Sequence, residues 1–482
     1  MKSQATPKVL HAFAGRSLLG HALAAVAPLQ PDTTAVVIGH RRDEVQAHLA
    51  DIAPDAQAVV QDQQNGTGHA VRIALDKVAA TGPVDGTVLV IPGDAPLLTA
   101  NTLALVLDQH ASSGAAATVL TSIVADPTGY GRVIRDEQNP DNVSRIVEHK
   151  DASPVELQIA EVSALVYAFD GALLDDAVRR LSTNNAQGEE YLPEVVTIFV
   201  NEGRTVTAQL APAFETAGVN DRAQLAAAHR IYNARLAEEH MRAGVTIIDP
   251  ATTWIDAGVT IAADATIQPN VQLHGRTEIA AGAVIGPDST LTDTVVGEGS
   301  VLDRTVAKQA KVGAGVTVGP FAYLRQGTDL ADQVHIGTYV ELKAAEIGVG
   351  TKVPHLSYVG DATIGEHTNI GAATVFVNYD GVNKHRSTIG SHARIGADNM
   401  FVAPVNVGDG AYTAAGSVIA SDVPPGALGV ARGYQRNVAG WVLRRRAGTA
   451  AAEAALAAGA TERTTQPSTD AQSSDDSGSS QS

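Results

Sequence analysis

Between residues 343 and 378 the chain gathers side chains that can do chemistry: Lys343, His355, Tyr358, Asn369 and Asn378. A histidine exchanges protons near neutral pH, so it can take the proton of an incipient nucleophile. Read on its own, however, His355 fits a surface or structural position as well as a catalytic one. In the other half, Asp94 follows the apolar run Thr87–Ile91 within GDAPL. It is either a turn acid at a strand end or a hard oxygen donor for a cation. Five histidines (His335, His355, His367, His385 and His392) raise the question of a zinc site, but no close pair among them has zinc-ligand spacing. The chain has no cysteine, which excludes thiolate nucleophiles, disulfides and thiolate zinc sites.

The elements that must position these residues repeat. Ile261, Ile267, Leu273, Ile279, Ile285 and Leu291 fall six residues apart. Val312, Val318, Leu324, Leu330, Ile336 and Leu342 keep the same step. A third run comprises Ile389, Ile395, Phe401 and Val407, continued by Thr413 and Ile419. Neither a helical nor an alternating strand pattern produces that period. It predicts a left-handed parallel β-helix, with one apolar side chain turned inward on each face of a triangular coil and the coils stacked as a solenoid. On this spacing Lys343, His355, Tyr358, Asn369 and Asn378 fall within about two turns of coil. A purely structural scaffold would not require that convergence. The period breaks between Phe376 and Ile389, where VNYDGVNKHRST predicts a polar loop thrown out of the coil, a natural place for a binding site.

Residues 1–222 alternate strand-like runs, Thr34–Gly39 and Thr87–Ile91, with helical segments, Ser17–Val26 and Ala70–Val78. That order predicts an α/β domain with a largely parallel sheet. Residues 223–246 read as one linking helix and residues 247–446 as the β-helix. Residues 447–482 turn Ala-rich and then run TTQPSTDAQSSDDSGSSQS, which predicts a disordered tail. The formal charge of −18 carries no basic cluster outside Arg444–Arg446, so nucleic acid is not an expected partner. No apolar stretch approaches the length of a membrane span, and Met1-Lys2-Ser3-Gln4 lacks the apolar core of a signal peptide. A cytoplasmic location is expected.

Several blocks carry a family resemblance. VPHLSYVGDATIGEHTNIGAATVFVNYDGVNKHRSTIG, Val353–Gly390, closely resembles the acetyltransferase core of the bifunctional N-acetylglucosamine-1-phosphate uridyltransferase/glucosamine-1-phosphate acetyltransferase family. TPKVLH, QNGTGHA, GDAPLL, GYGRVIR, IVEHKDA, NNAQGE and GVNDR extend the resemblance through the first half, in the family's order. The resemblance implies a Rossmann-like nucleotidyltransferase domain ahead of the β-helix. It implies two reactions: acetylation of glucosamine 1-phosphate from acetyl-CoA, then uridylyl transfer from UTP with Mg2+. A homotrimer is implied, with the acetyl-CoA cleft between subunits.

Residue by residue, the resemblance makes His355 the base and Arg325 and Lys343 the sugar-phosphate cations. Tyr358 and Asn369 become sugar contacts, and Ala372, Asn378, Tyr379, Ala415 and Arg432 line the sugar and acetyl-CoA cleft. Trp441 follows the last coil, either packed on it or reaching a neighbouring subunit. In the first half Lys8 would meet phosphate, Gln61, Gly66 and Thr67 the uracil, and Gly131, Glu148 and Ser163 the sugar. Asp94 and Asn220 would hold Mg2+, with Asn220 also at the nucleotide-sugar site. The chain departs from the family at Gln326, which stands for the usual Pro, Ala397 for Ser, Ser163 for Asn and Leu165 for Gly, and the usual GEYYLTD reads GEEYLPE over Gly188–Glu194. The family's opening strand and Gly-rich loop would lie ahead of Met1-Lys2-Ser3, which matches only the end of that motif. From this we expect acetyl transfer with little or no uridylyl transfer, or, alternatively, a first half that is a degenerate nucleotide-binding or scaffold domain.

Overall fold

A computed structural model describes every residue except Lys2, Gln4, Thr81 and residues 462–482. In the first half, helix α1 (Leu18–Val26) is capped by Ser17, whose hydroxyl accepts from the Gly20 N–H. Strands β1 (Ala35–Ile38) and β2 (Gln57–Val60) pair in parallel, with Arg42–Ile52 as the crossover helix. Helix α2 (Thr67–Ala79) leads to β3 (Thr87–Val90). The strands β4 (Ala117–Ile123), β5 (Arg132–Arg135), β6 (Val143–Val147), β7 (Glu161–Asp170) and β8 (Val206–Leu210) complete a second sheet with β3. The spine is β7, which pairs antiparallel with β3, β4 and β5.

The expectation of a largely parallel sheet is therefore corrected: β1–β2 and β8–β4 are parallel, while β3–β7, β4–β7, β5–β7 and β5–β6 are antiparallel. The chain returns from β4 to β7 through the β5–β6 hairpin, without the crossover helix that a parallel pairing needs. Tyr167 and Phe169 of β7 are fully buried, and Phe169 meets Phe199 edge-on at 6.4 Å.

The second half is a left-handed parallel β-helix. On one face Ile267, Ile285, Leu302, Val318, Ile336 and Val353 stand in register, each buried on the one before. On another, Leu291, Ala307, Leu324, Leu342 and Val359 do the same. Apart from the ejected loop after Phe376, the breaks between the sequence runs are steps shortened by one residue, as from Leu291 to Val296 and from Leu342 to Ile347; the register survives them. Corners are tied by hydroxyls. Thr351 donates to the Gly365 carbonyl at 2.6 Å and accepts from the Thr368 N–H at 2.9 Å, and Thr368 repeats the arrangement one coil on.

Helix α3 (Arg222–Arg242) joins the halves. Its buried Asn233 donates to the Thr253 carbonyl and accepts from the Ile255 N–H, which closes the first coil. The Ala257 N–H donates to the Ala14 carbonyl, so the first half also touches the coil directly. Around this joint Phe13 stacks on His21 at 4.3 Å, Tyr232 meets both rings, and His229 lies 4.6 Å from Trp254. Residues 447–482 are corrected in part: Ala450–Ala457 form a helix capped by Thr449. Alanine has the highest helix propensity, and the burial of Ala452 supplies a packing contact. The remainder of that expected tail, residues 462–482, lies outside the described residues. Among the described residues no helix is long and apolar enough to cross a membrane.

Burial lowers the His21 imidazole to about 4, despite its bond to the Phe13 carbonyl, with Arg16 and His229 adding repulsion. Above pH 6.5 the ring is neutral whether the chain is folded or not. Between 6.5 and 4 only the unfolded chain binds the proton, so stability is lost as the pH is lowered through this range, by up to about 3 kcal/mol. Below 4 both states are protonated and the slope ends. His21→Phe should flatten that segment of the stability–pH curve, measured by denaturant unfolding of both proteins.

Candidate functional site

The β-helix register sets the first group. Arg325, Lys343 and Gly360 each follow an inward residue (Leu324, Leu342, Val359), and the pairing of these strands stacks the three on successive coils. Arg325 pairs with Glu341 at 2.8 Å. Lys343 Nζ reaches both oxygens of Asp361, at 2.8 and 3.0 Å. Asn378, nine-tenths buried, also donates to Asp361 and lies 3.5 Å from the Tyr358 phenol oxygen. Lys343, Tyr358 and Asn378 are thus brought together around a carboxylate that the sequence reading had not singled out. Its signal was an opposite charge one coil away from Lys343, at a separation of 18 residues.

His355 ends the strand Lys352–His355 and is paired with Thr338. Ser357 fixes this corner by donating to the His355 carbonyl at 2.7 Å. The imidazole is exposed and makes no hydrogen bond with protein among the described residues. Asn369 bridges Lys352 and Arg394 through backbone pairing. Ala372, Ala397 and Ala415 occupy one corner of successive coils: the Asp398 N–H donates to the Ala372 carbonyl and the Gly416 N–H to that of Ala397. A Cβ on Gly396 would stand 2.5 Å from the Ala415 nitrogen, so these coils approach as closely as backbone allows.

The ejected loop is folded rather than loose. Asp380 accepts from the Val382 and Asn383 N–H groups and from His385, and these bonds hold its carboxyl down at about 2. Arg386 ties the loop back to Glu346, to Thr363 and to the Ala344 and Ala362 carbonyls. Tyr379 is exposed on this loop, its hydroxyl donating to the Gly381 carbonyl. Arg432 is exposed beyond the last coil, and the neighbouring Ala431 N–H donates to Ser417 Oγ. Trp441 is half exposed, with the Arg446 guanidinium 5.2 Å from its ring. Of the five coil histidines, His367 and His392 stack at 5.3 Å, while His335 bonds Thr317.

In the first half three groups assemble. Lys8 Nζ donates to Asp94 and, at 2.5 Å, to the Asn220 side-chain oxygen, and the Val219 N–H donates to the Asp94 carbonyl. Gln61 donates to the Gly66 carbonyl, and Thr67 Oγ1 accepts from the Leu192 N–H at 3.1 Å. Gly66 has φ +106°, and a Cβ there would meet the Glu190 carbonyl oxygen at 2.4 Å, so only glycine fits. In the third group Gly131 accepts from the Ser163 N–H and lies beside Glu148, whose carboxyl is raised by burial and by Asp151. The Ser163 hydroxyl bonds the buried Tyr167 hydroxyl at 2.9 Å, and Leu165 sits in the left-handed region at φ +59°. Tyr167 was not foreseen, since its phenol is buried at a strand position that reads as core.

An α/β half with an oxygen-donor pair at a strand end, followed by a hexapeptide β-helix with a polar cluster and loop, defines a two-domain transferase. A nucleotidyl transferase family model matches residues 2–262. The bifunctional protein GlmU of Streptomyces avermitilis is 58% identical over 456 residues, covering 94% of each chain. That of Streptomyces coelicolor is 57% identical over 458 residues, 95% of this chain and 94% of the relative, and that of Thermobifida fusca 54% over 457 residues, 94% of each. This chain belongs to the bifunctional GlmU family.

Proposed function

We propose that the β-helix half acetylates glucosamine 1-phosphate from acetyl-CoA and that the α/β half transfers a uridylyl group from UTP to the N-acetylglucosamine 1-phosphate so formed. The products are UDP-N-acetylglucosamine and diphosphate. The observation that best supports the acetyl-transfer reading is the convergence of Lys343, Tyr358 and Asn378 on one patch of coil, with the exposed His355 three residues ahead of Tyr358 on the adjoining strand. His355 takes a proton from the sugar ammonium. The freed amine attacks the thioester carbon, the C–N bond forms, the C–S bond breaks, and the leaving thiolate recovers a proton. Arg325 and Lys343 hold the phosphate, the first as a planar fork and the second as a point charge. Ala397 removes the hydroxyl that relatives of the resemblance carry there, a loss of about 0.5–1.5 kcal/mol in acetyl-CoA binding.

For the uridylyl half, Asp94 and Asn220 would hold Mg2+. Both already turn oxygen atoms toward one cation, the Lys8 ammonium, and hard oxygen donors suit that metal. When bound, the ion neutralises phosphate charge. Lys8 binds phosphate, the Gln61–Thr67 turn receives uracil, and Glu148 with Gly131 holds the sugar. The expectation of little or no uridylyl transfer, drawn from the opening of the sequence and from Ser163 and Leu165, is corrected by the 57–58% identity to bifunctional relatives over nearly the whole chain; both activities are assigned. We propose a cytoplasmic location, which the availability of acetyl-CoA and UTP there supports.

We also propose a homotrimer. Phe321 and Tyr339 stack at 5.4 Å and, with Leu356, form an exposed ridge on one side of the prism. Apolar surface of this kind favours burial between copies, and head-to-tail contacts close into rings. Sedimentation equilibrium should give three chains per particle; a monomer at micromolar concentration would remove the trimer.

Two substitutions separate the activities. His355→Ala should lower kcat for acetyl transfer by about 10²–10⁴-fold, with uridylyl transfer unchanged. Near-normal turnover would exclude His355 as base. Gly66→Ala should raise the KM for UTP about tenfold or more and leave acetyl transfer intact, as read by diphosphate release and by thiol release on one preparation.

A further inference from the structure

We infer that Asp361 is a positioning residue of the acetyl-transfer site, fixing Lys343 from the coil and Asn378 from the loop in the orientation that the sugar phosphate meets. The inference rests on the proposed role of Lys343 as a ligand of that phosphate. Three donor contacts reach one carboxylate: two from Lys343 Nζ and one from Asn378 Nδ2. The side chains of Lys343 and Asp361 are 20% and 18% exposed, so their attraction is screened less than that of a surface pair. Lys384, on the loop, adds a second positive charge that acts on the same carboxylate. Burial opposes ionisation of Asp361, yet the bonds from Lys343 and Asn378 prevail and hold its carboxyl below the usual range. It is an anion at neutral pH.

The fold accounts for its reach. Lys343 and Gly360 are register partners, so the next residue, Asp361, can lean back over the lysine of the preceding coil. It does so from a left-handed corner, φ +49°, which Asp and Asn tolerate better than most residues. A lysine stem loses much rotamer freedom when it is fixed. Here that loss is met during folding, through Asp361, and not when substrate arrives. The carboxylate also neutralises Lys343 in the free protein, and an arriving phosphate shares the ammonium with it. The same carboxylate carries the loop, because Asn378 is its first residue, directly after the strand Val375–Val377.

Asp361→Asn keeps the size and the left-handed corner, but removes the charge and turns one acceptor into a donor facing other donors. We expect the KM for glucosamine 1-phosphate to rise about 10–50-fold, with the KM for acetyl-CoA within about twofold and the melting temperature little changed. Because Asp361 acts through Lys343 and Asn378, the double variant with Lys343→Ala should lose less than the sum of the two single losses in sugar-phosphate binding. A KM unchanged in Asp361→Asn while Lys343→Ala raises it would overturn the inference, and so would strictly additive losses. If Lys343→Ala itself leaves the KM unchanged, the phosphate role of Lys343 fails first. Asp361→Ser serves as the second variant if the asparagine protein does not fold, with the same KM criterion.

Discussion

Everything in the second half depends on one packing constraint: an inward apolar side chain must sit directly above its counterpart in the coil below. The stack Leu291, Ala307, Leu324, Leu342 and Val359 shows the consequence, for each residue that follows an inward one must face out, at a fixed height. Arg325 and Lys343 are such followers, so the register that buries Leu324 and Leu342 also aligns the two cations. Polar residues of the site are held by hydrophobic packing that lies behind them. A rigid ladder of this kind supplies placement that a surface ion pair alone would not.

Where the ladder is interrupted, local hydrogen bonds take over. The loop leaves the coil after Val377 and rejoins it at Ser387, and the large inward pair Phe376 and Phe401, 5.1 Å apart, keeps the core continuous beneath it. Asp380 closes the turn and Arg386 anchors its returning arm across two coils. The loop thereby adds Asn378, Tyr379 and Lys384 to one edge of the coil without disturbing the stack.

The sequence made the β-helix legible because its period belongs to no other element, and the ejected loop because it breaks that period. Shortened steps such as Leu342 to Ile347 were not legible as continuous coil, since the register that absorbs them lies between strands far apart in sequence. Strand direction in the first half was missed for a related reason: it follows from the route of the chain between β4 and β7, not from the composition of the strands. Asp361 was missed because corner acids are common here. Asp264, Asp288 and Asp398 also occupy left-handed corners, and only the three-dimensional stack distinguishes the one that leans over a lysine. The helix Ala450–Ala457 was missed because its Ala-rich stretch was grouped with the polar run that follows it, and the Thr449 cap that starts it was passed over.

The altered residues of the first half illustrate how a substitution is absorbed. Ser163 is short, and its hydroxyl is engaged with the Tyr167 phenol, while the Leu165 N–H donates to the same oxygen. A hydroxyl held on both sides has little capacity left for a sugar. Glu148, half-buried and beside Gly131, is then the principal polar group on that wall. Its raised carboxyl follows from burial and from Asp151, and a bound sugar hydroxyl would relieve part of that burden by donating to it. On the proposed assignment, sugar recognition in this pocket leans on a single carboxylate and on the space that Gly131 leaves beside the Ile146 and Glu148 side chains. The proposed acetyl-transfer site spreads the same task over two cations, Arg325 and Lys343, the Tyr358 phenol and the carboxamides of Asn369 and Asn378. On that assignment the two halves differ in how much a single substitution can remove: Glu148 stands alone on the first wall, whereas Lys343, Tyr358 and Asn378 share the patch around Asp361.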